Sequence, residues 1–282
     1  MRIGKRLARG SLLAAAASAV VIGITAAPSH AATGKVTVSG NTIVYVGTND
    51  FNEIHVIREI RPDGTSKITL EDRGLATLQA SGECTQVSTI KAECPVMPDI
   101  YLTLGGGNDQ VRIAKHGTPA FGISTAVSGD DGNDIFYGGT DAGVSDVWFF
   151  GGAGIDTADY STSKRSIDVR MNDGKAADGR RATLTSPADR DNIQEDVEQL
   201  IGSKYGDFLV GNELNNFLYG GEGKDQLHGR EGGDYLDATD VGTGWSSIDL
   251  VIDCGIGGTG HDESRVDVDD PKSKECAREI RV

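Results

Sequence analysis

The chain has 282 residues, enough for one or two domains, and its 27 basic against 42 acidic residues leave a net charge of −15. So acidic a surface repels nucleic-acid phosphates and anionic lipid head groups, which excludes nucleic acid as a partner; what it attracts is cations. With 29 Asp to 13 Glu, 39 Gly and only 6% aromatic residues, the composition favours tight turns and oxygen-rich loops over helix, and a thin core repeated many times over one large enzyme core.

Residues 2–9 (RIGKRLAR) are basic, residues 11–27 are apolar and uncharged, and Ser29, His30 and Ala31 put small residues at the two positions a signal peptidase reads. A secretory signal peptide over 1–31 is expected, cut after Ala31, which leaves a net charge of −19. The rival is an N-terminal membrane anchor, for which the apolar run is short. With no twin-Arg pair and no Cys at the cut, general secretion without a lipid anchor is expected. The exported protein is then soluble and extracellular, with no membrane insertion.

Over residues 35–73, VTVSGNTIVYVG, NEIHVIREI and SKITLED alternate apolar and polar around an RPDG turn. This predicts antiparallel strands, an N-terminal β cap over 32–97 that covers the open edge of the strands beyond it. Cys84, Cys94, Cys254 and Cys276 are the only cysteines, and an even count in an exported chain suggests disulfides. Three pairings are possible. Cys84–Cys94 with Cys254–Cys276 closes two short loops and is the expected one. A zinc site lacks any C-x-x-C spacing or neighbouring His.

Beyond the cap, loops rich in Gly and Asp recur: 104–112 (LGGGNDQVR), 129–137 (GDDGNDIFY) and 151–159 (GGAGIDTAD). Residues 161–195 hold one expected strand, 167–171 (IDVRM), and a polar loop, about 172–195, read as a solvated flap; a recognition loop built on Arg180 and Arg181 is the alternative. Then 202–237 divides into four blocks of nine: GSKYGDFLV, GNELNNFLY, GGEGKDQLH and GREGGDYLD. Their first residues are Gly202, Gly211, Gly220 and Gly229. Asp207, Asn216, Asp225 and Asp234 stand sixth; Leu209, Leu218, Leu227 and Leu236 stand eighth. This is the nonapeptide G-G-x-G-x-D-x-U-x, with U apolar. A further copy lies at 257–265 (GGTGHDESR). The G-G-x-G-x-D core occurs three times, where chance would give about 0.1 in a chain of this composition.

In such a repeat the Gly-rich part turns sharply and the x-U-x part is a short strand with one side chain inward. Two nonapeptides make one coil, so loops stack at i and i+18, strands pair in parallel and the Leu residues form a narrow core. Asp207 and Asp225 then share one side, the expected tighter site, and Asn216 shares the other with Asp234. Stacked Asp carboxylates and loop carbonyls enclose an oxygen-lined space, which suits calcium with its about six to eight flexible oxygen ligands better than octahedral magnesium. The spacings Asp109–Asp134 and Asp134–Asp156 fit one coil plus an extended opposite loop at 115–121 and 139–146, with Val111, Phe136, Trp148 and Ala158 inward.

On these motifs the chain resembles the RTX, or haemolysin-type calcium-binding, repeat proteins, strongly over 202–237 and 151–159, more loosely over 98–160 and 248–265. The resemblance implies a calcium-loaded, right-handed parallel β-roll or β-helix, hence an all-β solenoid. It also implies metal ligation by Asp109, Asp134, Asp156, Asp207, Asp225, Asp234 and Asp262, weakly by Asn216. The turn residues Gly129, Gly132, Gly151, Gly152, Gly154, Gly220, Gly221, Gly223, Gly257, Gly258 and Gly260 would shape the loops. Tyr205 and Leu214 depart from the fourth-position Gly. The roll is expected over 98–270, with a tail at 271–282.

No H-E-x-x-H, G-x-S-x-G or P-loop is present, so the zinc protease that often accompanies such repeats is not supported. His228 and His261 are read as solvent-facing. The expectation is a secreted, monomeric calcium-binding protein that holds several Ca2+ ions, folds with calcium and is not an enzyme. The alternatives are a polysaccharide-active β-helix lyase or epimerase, for which Tyr160, Arg170 and Lys204 are the nominal groups, and a calcium-dependent adhesin or matrix protein.

Overall fold

Alternating apolar residues at the start and single apolar residues between Gly/Asp turns further on leave the backbone no long stretch of helical period. The computed structural model describes residues 33–60, 63–74, 77–115, 123–139, 146–175, 177–183, 188–240, 248–255 and 262–282, and these contain no helix. Ala32–Val282 is one compact unit.

The strands of the expected cap are β1 (Thr33–Ser39), β2 (Thr42–Thr48), β3 (Glu53–Ile60), β4 (Ser66–Asp72), β5 (Thr77–Ala80), β6 (Thr85–Ser88) and β7 (Lys91–Pro95). They are followed by β8 (Asp99–Gly106), β9 (Gln110–Lys115), β10 (Ser124–Asp131), β11 (Ile135–Tyr137), β12 (Val147–Ala153) and β13 (Thr157–Asp159). The excursion holds β14 (Ile167–Arg170), β15 (Gly179–Arg180) and β16 (Asn192–Ile193). The repeats supply β17 (Gln199–Ile201), β18 (Phe208–Val210), β19 (Phe217–Tyr219), β20 (Gln226–His228) and β21 (Tyr235–Ala238), and the end β22 (Val251–Asp253), β23 (Glu263–Val266) and β24 (Arg278–Arg281).

These strands form three mixed sheets. The twelve-stranded sheet runs β24-β23-β21-β19-β17-β13-β11-β9-β3-β4-β7-β6, and every neighbour from β24 to β3 is parallel. The seven-stranded sheet (β16-β12-β10-β8-β2-β1-β5) and the five-stranded sheet (β15-β14-β18-β20-β22) complete the set. Among the described residues, antiparallel strand pairing occurs at β1–β2, β3–β4, β4–β7 and β6–β7 near the start and at β14–β15, with an isolated antiparallel bridge between Asp178 and Asp191. β2 and β3 of the expected cap also pair in parallel with β8 and β9. β24 lies within the expected tail, on the edge of the twelve-stranded sheet.

The repeat register is 18 residues: Leu200 pairs with Leu218, Leu218 with Leu236, and Leu209 with Leu227. All five are fully buried, each the second residue of its short strand. Val111, Phe136 and Ala158 are buried as expected, but Trp148 is not. Val147 and Phe149 point inward instead, Phe149 opposite Val127, a one-residue error of phase that a period of two converts into the wrong face. The disulfides are Cys84–Cys94 and Cys254–Cys276. Cys94 lies on β7 and Cys254 follows β22, so each ties a segment outside the nonapeptide run to a strand.

The solvated-flap reading of the excursion needs correction at Arg180. Its guanidinium is 5% exposed and donates twice to Asp189, at 2.8 and 2.9 Å. Beside it Asp178 accepts the N–H groups of Arg170 and Ile193, stitching β14 to β16.

Candidate metal centre

The sixth residue of each loop stands immediately before a strand, so parallel stacking brings these residues into columns. The first column, along the twelve-stranded sheet, is Asn52, Asp109, Asp134, Asp156, Glu198, Asn216, Asp234 and Asp262. Backbone N–H groups step along it: Asn52 donates to Asp109 Oδ1 at 2.6 Å, Asp109 to Asp134 at 2.7 Å, Asp134 to Asp156 at 2.8 Å and Asp156 to Glu198 at 2.9 Å. Past Glu198, Asn216 donates to Asp234 Oδ1 at 2.8 Å and Asp234 to Asp262 at 3.0 Å. The second column follows the five-stranded sheet. Ile167 donates to Asp207, Asp207 to Asp225, Asp225 to Asp249 and Asp249 to Asp270, at 2.7–3.0 Å. Asp207 and Asp225 thus share one column, and Asn216 and Asp234 the other.

Each carboxylate uses one oxygen in its column. The other oxygen, Oδ2, has no hydrogen-bond partner in Asp109, Asp134, Asp156, Asp225, Asp234 and Asp249, and all six side chains are at most 2% exposed. An unpaired charged oxygen in a dry interior is costly, so these six positions call for a cation or a proton. Burial is the largest cause lifting their pKa values, to about 6 for Asp109 and Asp156, 7 for Asp134 and Asp234, 8 for Asp249 and 9 for Asp225. Neighbouring carboxylates add to the rise.

The first-position glycines leave the space these oxygens face. A Cβ on Gly129 would lie 2.1 Å from Asp134 Oδ2 and 2.3 Å from the carbonyl oxygen of Gly151 in the next loop. At Gly151 it would meet Asp156 Oδ2 and the Asp196 carbonyl, both at 2.5 Å; at Gly229, Asp234 Oδ2 at 2.2 Å and the Cys254 carbonyl at 2.5 Å. At Gly220 it would meet Asp225 Oδ2 at 2.4 Å. The second and fourth residues are left-handed: Gly152 and Gly154 have φ of 104° and 148°, and Gly221 and Gly223 of 94° and 126°. Gly132 has φ of 134°, and its second-position neighbour is a non-glycine, Asp130, at 71°.

Among the described residues no three His, Cys, Asp or Glu side chains converge as a metal-ligand group. At Gly129, Gly151 and Gly229 the slot combines one free carboxylate oxygen with a backbone carbonyl. That donor set fits a hard, flexible, oxygen-seeking ion such as calcium and lacks the nitrogen and sulfur ligands of zinc sites.

Gly257, Gly258 and Gly260 lie outside the described residues, as does His261. Asp262 receives the Asp234 N–H. His228 is half-buried, its ring 5.4 Å from that of Phe208. Of the nominal catalytic groups, Tyr160 is fully buried and donates to Asp191, and Arg170 pairs with Asp168 and lies over Phe208. Sequence reasoning missed Asn52, Glu198, Asp249 and Asp270. Glu198 stands 18 residues before Asn216, so stepping back one repeat finds it. Asp249 is 24 residues after Asp225, off the nonapeptide phase, and no local signal marks it.

The RTX calcium-binding nonapeptide repeat family matches residues 127–144 and 201–236, in four copies. The matched segments contain Asp134, Asp207, Asn216, Asp225 and Asp234; Asp109, Asp156 and Asp249 lie outside them. Among curated proteins, none matches the chain.

Proposed function

We propose that this is a secreted, monomeric calcium-binding protein in which several Ca2+ ions sit between stacked Gly/Asp loops and drive folding. The carrying observation is the set of six buried Asp Oδ2 atoms without a partner, in columns along parallel strands. In this reading residues 1–31 are the signal peptide and 32–97 the cap. Residues 98–270 form a right-handed β-roll with an excursion at about 172–195, and 271–282 close the chain. Asp109, Asp134, Asp156, Asp225 and Asp234 hold the ions with carbonyls of the same and the adjacent loop. The role is binding rather than catalysis. In support, the nominal catalytic groups do not converge on one site: the Tyr160 hydroxyl is buried against Asp191, Arg170 pairs with Asp168, and Lys204 is exposed beside Tyr205.

Equilibrium dialysis against calcium at neutral pH, with magnesium as comparison, is the direct test. The expected result is several calcium ions per chain and weaker magnesium uptake. A chain that takes up no calcium at millimolar concentration refutes the reading.

A further inference from the structure

Five described loops, 104–109, 129–134, 151–156, 220–225 and 229–234, share one conformation. Their second and fourth residues are left-handed: Gly105 and Gly107, Asp130 and Gly132, Gly152 and Gly154, Gly221 and Gly223, Arg230 and Gly232. In every one of them the Asp Oδ2 has no partner. The loops at 202–207 and 211–216 differ. Neither Ser203 and Tyr205 nor Asn212 and Leu214 are left-handed, and the second residue's N–H closes onto the sixth side chain. Ser203 N–H donates to Asp207 Oδ2, and its hydroxyl to Asp207 Oδ1 at 2.9 Å. Asn212 N–H donates to Asn216 Oδ1 at 2.7 Å, and Asn216 Nδ2 returns a bond to Asn212 Oδ1 at 3.1 Å. The Asn212 amide also donates to the carbonyls of Glu195 and Val197, occupying oxygens of the neighbouring loop.

We infer that the 202–207 and 211–216 loops, although they are repeats by sequence, hold no ion, because their own N–H groups take the place of the metal. Calcium then occupies two separate arrays, one at 104–156 and one from 220 onward, with a metal-free stretch between them. The selecting residues are those at positions two and four, not the acid at position six. A β-carbon at both places disfavours two left-handed residues. The right-handed turn that replaces them presents an N–H to the carboxylate, which fills its hydrogen-bonding capacity. Asp207 is the informative case, since it keeps the carboxylate and loses the slot.

The inference rests on the calcium-binding reading, and counting ions separates the two. Calcium per chain is measured by equilibrium dialysis on the full-length protein and four variants, each checked for native circular dichroism in saturating calcium. Asp225→Asn is expected to lower the count by one. Asp207→Asn leaves it unchanged, and Asn216→Asp adds none. The double change Ser203→Gly with Tyr205→Gly restores two flexible positions around an existing carboxylate and raises the count by one. If wild type binds calcium but Asp207→Asn loses an ion, or Asn216→Asp alone gains one, the inference is overturned and the calcium reading stands. A wild-type chain that binds none overturns both.

Discussion

At Gly132 a β-carbon would lie 1.5 Å from the carbonyl oxygen of Gly107 in the loop stacked against it, and φ is 134°. Gly174 is also left-handed, at 68°, but nothing lies within 4 Å of its missing β-carbon. The pair separates backbone strain from loop contact. Gly174→Ala is expected to cost about 1 kcal/mol, the left-handed penalty alone. Gly132→Ala must also push two loops apart, and a loss on the order of 3 kcal/mol or more is expected. Urea unfolding in calcium reads both, and equal losses would mean that the loops do not stack as described. In the core, Leu218 is fully buried between Leu200 and Leu236. Leu218→Ala should cost about 2–5 kcal/mol, the upper end if the short strands cannot close the cavity.

A column of carboxylates behaves as a unit because each is buried beside the next. The folded-state pKa values of Asp109, Asp134, Asp156, Asp225, Asp234 and Asp249 all lie above the ordinary Asp value, burial being the main cause. A raised carboxylate pKa means that the folded state holds its proton more tightly than the unfolded chain does. Its stabilising effect is complete below the unfolded pKa of about 4 and is lost as pH rises through the folded values. With chelator present, the melting temperature should therefore fall steadily as pH rises from about 5 until the fold is lost near neutrality. In saturating calcium the trend should flatten or reverse, since protons compete with the metal for the same oxygens. A chelated protein that melts highest near pH 8 would contradict this arrangement. The disulfides act on other elements. Cys254–Cys276 spans 22 residues and ties the segment after β22 to the stretch before β24. Replacing both cysteines with Ser should cost about 3 kcal/mol by chain entropy, with little effect on calcium uptake by the 104–156 loops.

Across the whole molecule, strands of three or four residues carry one or two inward side chains each, and the core is correspondingly narrow. Against that thin core stand two columns of acidic groups on a chain of net charge −15. Calcium that binds only the folded state adds about 2.7 kcal/mol per independent site at a hundredfold excess over Kd. Several sites together exceed the stability of many whole domains. Far-ultraviolet circular dichroism should therefore show loss of β signal in chelator at neutral pH and recovery in millimolar calcium. An unchanged spectrum and melting temperature would show that the sheets stand without the ion. Of the described residues, no helix is long and apolar enough to cross a membrane.

The nonapeptide phase was legible in the sequence because everything it needs is local. Gly at the turn, Asp before the strand and Leu within it recur every nine residues, and from that alone come the 18-residue register, the buried Leu209, Leu218, Leu227 and Leu236, and the two columns. The local cysteine pairs were legible for a similar reason, each closing a short loop. What lies off the phase was decided by the tertiary structure. Asp249 joins the second column 24 residues after Asp225, and Arg180 leaves solvent for Asp189, through contacts that no spacing announces. Trp148 yields the inward place to Val147 and Phe149 because register against β10, not local hydrophobicity, sets the face. The sharpest division falls inside the repeats. Sequence places an acid at Asp207 as readily as at Asp225, but only the folded loop reveals whether its second oxygen meets the Ser203 N–H or stays open in a dry slot. The physical reason is that the proposed metal site is built from backbone carbonyls and turn handedness, and both are settled by the stacking of one loop on the next.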